Sequence, residues 1–243
     1  MYLLRLAIFF GLVSCALPGK QQTRLDTIIQ SKVLRVGSTF DYSPFTYRDS
    51  KHNPLGTDIE MAKSLAKSLN AKLILVPTTW SKLISDLEGN KFDIAMGGIS
   101  KKSSRQQVGL FSDSYLNNGK LPISRCSDKN KYKTLKKIDT PKVKLVVNPG
   151  GTNLQYAQAN IKWAEIVIHP DNNTIFTEII EKRADIMITD SAEVYHQVSK
   201  HPGILCATMD KTLTNGALAY LLPRDLIWKE YVNNWLEIDL LNQ

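Results

Sequence analysis

The 243-residue chain has little of what announces the commoner catalytic chemistries. Beyond its first residues, no stretch approaches the roughly 18 uninterrupted apolar residues that a membrane helix needs, so no later segment is expected to span a bilayer. Cysteine is scarce, with three residues, and histidine with four. His169, His196 and His201 show no paired metal-ligand spacing and Cys126 and Cys206 lie far apart, which argues against zinc. A nucleophile elbow of the G-x-S-x-G type does not occur, which removes the usual serine hydrolases. The Gly150-Gly151 turn lacks the Lys-Ser/Thr tail of a nucleotide phosphate loop. Internal repeats and low-complexity segments are missing too. A composition of 43% hydrophobic and 22% charged residues is that of a folded globular protein.

What is present begins with an export signal. Arg5 precedes LAIFFGLV, an apolar run of signal-peptide length, so residues 1–15 read as a signal peptide and the chain as exported to an oxidising compartment. Leu12-Val13-Ser14-Cys15 resembles a lipobox, which would tether the protein through lipid on Cys15; cleavage after Ala16 would also satisfy the small-residue rule. With Cys15 lost or capped, Cys126 and Cys206 form an even pair that is expected to be joined. The formal net charge is +8, and seven lysines crowd Lys129 to Lys144. Only Tyr132 interrupts that run with an aromatic ring, so it reads as a solvated face and not a nucleic-acid site. A basic surface of this kind steers small dianions toward the protein.

Periodicity gives the fold class. Val33 to Gly37 alternates as a strand; Asp58 to Leu69 carries Ile59, Ala62, Leu65 and Leu69 at helical spacing; Lys72 to Val76 and Phe92 to Met96 are again strand-like. The alternation restarts after Lys120 with LPISRC, VKLVVN, TNLQYAQAN, AEIVIHP, TIFTEIIEKR and ADIMIT. Two α/β units with mostly parallel sheets are therefore expected. Tyr220 to Pro223 reads as a further strand and Leu226 to Leu241 as a final helix. If that helix returns to the first unit, the chain crosses twice, giving a hinged pair: residues 24–112 plus 222–243 in lobe 1 and residues 113–221 in lobe 2. In open α/β sheets ligands bind at the carboxyl ends of strands. The turns Thr39 to Pro44, Thr78 to Trp80, Gly97 to Ser100, Pro149 to Asn153 and Thr189 to Glu193 are thus expected to face one cleft.

Within those turns Arg105 offers a planar fork for a carboxylate, against the plainer reading of a surface arginine. The Asn148 to Asn153 turn offers N–H groups and the Thr152 hydroxyl to an anion; alternatively Thr152 caps a helix. Asp190 and Glu193 have the spacing of a capping box, which the local physics favours. The alternative turns Glu193 into the cleft, where burial would keep it protonated as an acid while Asp190 stays ionised. Lys120 either pairs with a carboxylate across the cleft or is solvated. Tyr42, Trp80 and Phe45 either form a platform for a ring or belong to the core.

The segments VLRVGSTFDYSPFTYR, GTDIEMAKSLAKSL and FDIAMGGISKKSSRQQVGLFSDSY resemble the amino-acid-binding branch of periplasmic solute-binding proteins, over about Arg24 to Trp235. NNGKLPISRCS, VVNPGGTNLQYAQANIKWA, IHPDNNTIFTEI, MITDSAE and AYLLPRD are similar to the periplasmic cyclohexadienyl dehydratases. The resemblance implies a two-lobed fold that closes on its ligand and a Cys126–Cys206 disulfide in the second lobe. It implies that Arg105 holds a carboxylate and that Asp190, in receptors, holds an α-amino group. In the dehydratases it makes Glu193 the proton donor, with Lys120 and Asn153 binding and orienting substrate. The Gly98, Ser100, Tyr42, Trp80 and Thr152 positions complete the expected substrate wall. The implied reaction removes water and CO2 from a cyclohexadienyl ring, turning prephenate into phenylpyruvate or arogenate into phenylalanine, without a cofactor or metal. Phe40 replaces a small residue at the cleft mouth. The dehydratases run on past the segment matching Tyr231 to Ile238, which implies a shortened final tail in a chain ending at Gln243.

Two other functions fit parts of this pattern. A transport receptor for a polar amino acid needs only Arg105 and Asp190, whereas a ligand-sensing module needs an attached signalling segment. The dehydratase reading alone uses Lys120, Asn153 and Glu193 together.

Overall fold

The computed structural model describes residues 22–241; the expected signal peptide and Cys15 lie outside the described residues. Two five-stranded mixed sheets organise the molecule. In the first, Lys72–Pro77, Val33–Ser38 and Ile94–Ala95 run parallel, and Leu221–Leu222 pairs antiparallel with both Ile94–Ala95 and Leu110–Phe111. In the second, Glu165–Ile168, Lys144–Val147 and Ile186–Asp190 run parallel, followed by Lys120–Arg125 and Leu205–Ala207 in antiparallel order. The passages between the sheets, Leu116–Asn118 outward and Gly216–Leu218 on return, pair with each other as a two-stranded ribbon. Two strands side by side thus join the lobes at the waist. Among the described residues no helix is long and apolar enough to cross a membrane.

The sequence pattern accounts for the layers. Ile186–Asp190 is buried along its whole length, because a central strand covered on both faces reads as a continuous apolar run and not as an alternation. Ile186 and Ile188 point into one cluster with Leu145 and Val147, whereas Met187 points into the other with Ile123 and Val146. The period of two thus sends neighbours to opposite faces. The strand then delivers Asp190 at its carboxyl end.

Leu226–Leu241 closes the first lobe with Trp228, Val232, Trp235 and Leu236 buried at helical spacing. Trp228 is fully buried and its indole N–H donates to the Asp93 carbonyl at 2.8 Å; truncating such a residue costs about 3–5 kcal/mol. Cys126 and Cys206 are joined in the second lobe across 80 residues. Phe40, expected at the cleft mouth, is instead buried beneath the Arg48 guanidinium, 4.3 Å from its ring centroid, and does not line the cleft cavity.

Candidate active site

Strand-end turns from both sheets meet between the lobes around a tight cavity of about 20 Å³, room for little more than one water, so a small-molecule ligand is admitted only when the lobes part. Its wall contains Tyr42, Trp80, Gly98, Ser100, Arg105, Thr152, Asn153 and Asp190 from the expected set, joined by Asn148, Gly151 and Asn172. Direct contacts hold the lobes shut. Tyr42 donates from its hydroxyl to Asp190 at 2.7 Å, Ser43 and His196 share a hydrogen bond of 2.8 Å, and Asn172 donates to the Asp41 carbonyl at 2.8 Å.

Arg105 comes from the short helix after the Gly97-Gly98 turn and is buried. Its Nη1 donates to the Ser100 carbonyl at 2.9 Å, and it makes no ion pair among the described residues. Burial lowers its pKa to about 10, the Asp190 charge opposing, so it remains a cation at neutral pH. A buried guanidinium on a cavity wall without a carboxylate of its own has the charge and geometry to take an anion. The turn that carries it is fixed by a residue that no motif singles out. Asp58, buried in the helix Thr57–Ser68, accepts from the Gly98 N–H at 2.7 Å and from the hydroxyls of Tyr115 and Tyr220 at 2.9 and 3.3 Å. Burial raises its pKa to about 6, against those donors.

The Asp190 side chain does not cap its helix. Asp190 Oδ1 accepts from Lys120 Nζ at 2.9 Å and Oδ2 from Tyr42, so the expected capping box is absent: a buried ammonium and a phenol offer stronger partners than backbone N–H groups that water or neighbours can satisfy. Lys120 is 4% exposed and also donates to Thr152 Oγ1 at 2.9 Å and to Asn153 Oδ1. Thr152 is likewise no cap; Gly151 holds that position. Asn153 donates to Thr189 Oγ1 at 2.9 Å, and Thr189 donates to Glu193 Oε2. One buried network therefore runs from Lys120, which also holds Asp190, through Asn153 and Thr189 to Glu193.

Glu193 is 1% exposed. Burial raises its pKa to about 8, the Asp190 charge adding to the rise and the Thr189 bond and Lys120 opposing it, so it is mostly protonated at neutral pH. Neither Glu193 nor Lys120 walls the cavity directly. Lys120 stands behind Asp190, Thr152 and Asn153, and Glu193 lines an adjacent pocket that shares Asn172 with the cavity. Asn172 escaped the sequence analysis because it sits in a polar turn, Asp171-Asn172-Asn173, where asparagine is expected without any ligand.

Tyr42 and Trp80 form a T-shaped pair with centroids 5.5 Å apart on the cavity wall. Phe45 lies behind Tyr42, 5.4 Å away, and packs in the core. Burial and the nearby Asp190 and Glu193 charges push the Tyr42 hydroxyl well above its ordinary pKa, which keeps it a donor. Among the described residues no group of three or more His, Cys, Asp or Glu is placed to hold a metal ion.

Comparison with known proteins agrees with this architecture. Residues 34–215 match the family of bacterial extracellular solute-binding proteins, family 3. A cyclohexadienyl dehydratase of Pseudomonas aeruginosa is 47% identical over 218 residues, 90% of this chain and 81% of that protein. A crystal structure of an ancestral amino-acid-binding protein, described as a precursor of cyclohexadienyl dehydratase, superposes with a TM-score of 0.81 at 34% identity, covering 88% of this chain and 92% of that one. An ancestral cyclohexadienyl dehydratase is 46% identical with a TM-score of 0.56, covering 90% and 92%. The chain belongs to family 3 of the bacterial extracellular solute-binding proteins.

Proposed function

We propose that this protein is a periplasmic cyclohexadienyl dehydratase, a carbon–oxygen lyase that converts prephenate to phenylpyruvate, arogenate to phenylalanine, or both, with loss of water and CO2. The observation that carries the reading is the buried network ending in Glu193. A receptor that only holds an anion has no use for a carboxyl group kept neutral to about pH 8 behind the ligand wall, whereas an acid that must protonate a departing hydroxyl does. The 47% identity to a cyclohexadienyl dehydratase points the same way.

In this mechanism Arg105 grips one substrate carboxylate, and the Thr152–Asn153 turn, held from behind by Lys120, receives the other. Tyr42 and Trp80 lie against the ring. Glu193 protonates the leaving ring hydroxyl, the electrons of the breaking carbon–carboxylate bond complete the aromatic ring, and CO2 departs. The closed cleft excludes water and strengthens each electrostatic contact. Aromatisation supplies the driving force, and the chemistry calls for no cofactor.

The competing reading is an amino-acid-binding receptor, which Arg105 and Asp190 alone would satisfy. Against it, the Asp190 carboxylate that would meet a ligand ammonium already holds the ammonium of Lys120. The deciding experiment mixes purified protein with prephenate and with arogenate and follows phenylpyruvate by ultraviolet absorbance and phenylalanine by chromatography. Product well above the acid-catalysed background supports the lyase; ligand-induced stabilisation without product supports the receptor. Export through the signal peptide places the enzyme in the periplasm, and lipid on Cys15 would tether it to the membrane there.

A further inference from the structure

Loss of water and CO2 from a dicarboxylate consumes a proton. If Glu193 gives its proton to the ring hydroxyl, the substrate dianion leaves as a monoanion with CO2 and water, and Glu193 is left as a carboxylate. One proton must then return from solvent before the next turnover. The substrate cavity is a poor route, because substrate or product occupies it.

The structure offers another. On the far side of Asn172 lies a second polar pocket, of about 370 Å³, at the seam between the lobes. Its charged and titratable groups are Asp41, Tyr47 and Arg48 from the first lobe and Glu193, His196 and Lys200 from the second. Glu193, His196 and Lys200 stand on one face of the helix Ser191–Lys200, at the spacing that brings side chains together. His196 is partly exposed and reaches Ser43 of the opposite lobe. Asn172 lines both this pocket and the substrate cavity, and its Oδ1 is buried with no hydrogen-bond partner, although its Nδ2 holds the Asp41 carbonyl. A buried acceptor left open at the boundary is costly unless a donor comes to it. A neutral carboxyl group passing from one side to the other is such a donor.

Resting on the dehydratase reading, we propose that this pocket is the proton-entry vestibule: Glu193 is seen in its reloading position, is recharged from solvent by way of His196, and turns past Asn172 to protonate the substrate. His196 and Asn172 are positioning and relay residues in this scheme and do not touch the reacting atoms. Burial and the charges of Lys200 and His201 lower the His196 pKa, which leaves its ring largely neutral at pH 7 and able to pass a proton in either direction.

The test compares the first turnover with the steady state. In His196→Phe, which removes the titrating ring and fills the mouth, rapid-quench measurement should show a first equivalent of product formed at the wild-type rate. Steady-state kcat should then fall by about tenfold or more, at the low end of what a proton-transfer group contributes, with partial rescue by added imidazole, while KM rises only as far as it does in Ser43→Ala, since both variants lose the same bridge. Ser43→Ala, which breaks only the bridge between lobes, should raise KM and leave the imidazole dependence absent. A ligand-induced rise in melting temperature establishes that both variants fold. Equal slowing of both phases in His196→Phe, or an unchanged kcat, overturns the vestibule. A wild type that forms no product overturns the dehydratase reading as well, so the two failures are distinguishable.

Discussion

Replacing Glu193 by glutamine separates its chemical role from its structural one, because the two effects have opposite signs. Glutamine has nearly the same shape as a protonated glutamate, and its amide oxygen can still accept from Thr189. In the folded protein the Glu193 pKa rises from 4.5 to about 8, chiefly by burial. Between those values the folded state binds more protons than the unfolded state, so stability falls as pH rises through the window. At about 1.4 kcal/mol per pH unit the cost of this carboxyl is nil below pH 4.5 and about 3 kcal/mol at pH 7. Glu193→Gln removes it. The variant should therefore melt higher than the wild type at pH 7, by about 6–12 °C at 2–4 °C per kcal/mol for a protein of this size, and the gap should close by pH 4.5. Other titrating groups cancel in the difference. Turnover should meanwhile drop by about 10²–10⁴-fold, the usual worth of a general acid, and in the wild type kcat/KM should decline as pH rises through about 8. Paired thermal melts from pH 4 to 8 and a phenylpyruvate assay measure both. Melting curves whose separation does not change with pH, or a variant that keeps its turnover, would refute the assignment.

Other residues make separable tests. Arg105→Lys keeps the charge but loses the planar fork, and forfeiting one charged hydrogen bond of about 1.5–3 kcal/mol should raise KM about 10- to 100-fold; an unchanged KM in steady-state assays would remove Arg105 from the ligand. Gly98→Ala places a Cβ 2.5 Å from Tyr42 Cε1 at a φ of +66°, so it should cost about 1–3 kcal/mol and raise KM by displacing the ring that donates to Asp190, as melting and kinetics together would reveal. The double variant Cys126→Ser/Cys206→Ser opens a link spanning 80 residues and should lose about 4 kcal/mol in the chain-entropy model. Urea unfolding measures that loss, and a reducing agent should bring the wild type to the same midpoint.

Most of the fold was legible because each central element announces its own environment. The apolar run Ile186 to Ile188 needs cover on both faces, and the helix Leu226–Leu241 carries its buried tryptophans at the interval of one stripe. The strand-end turns were legible for a geometrical reason, since a parallel strand buried on both faces can present polar side chains only where it stops. Depth was not legible. Nothing in the residues around Lys120 or Glu193 tells that each stands one layer behind the cavity wall, since layering depends on how far the lobes close and on which side chains come between.

The capping question shows the limit most sharply. Asp190-Ser191-Ala192-Glu193 has the same spacing whether the two carboxyl groups tie down a helix or belong to a site, and local energetics favours the cap. The partners that decide it are 70 residues away at Lys120 and 148 residues away at Tyr42. Their approach depends on the strand pair that sets Asp190 opposite Lys120 in register and on closure of the first lobe over the second. Once Lys120 and Tyr42 occupy Asp190, the helix start must do without its side chain, and Glu193 turns to Thr189 and loses its water. Desolvation then makes it an acid. On the proposed dehydratase reading, the raised carboxyl group thus arises from two long-range contacts acting on a local motif, which is why the motif by itself favoured the wrong structure at Asp190.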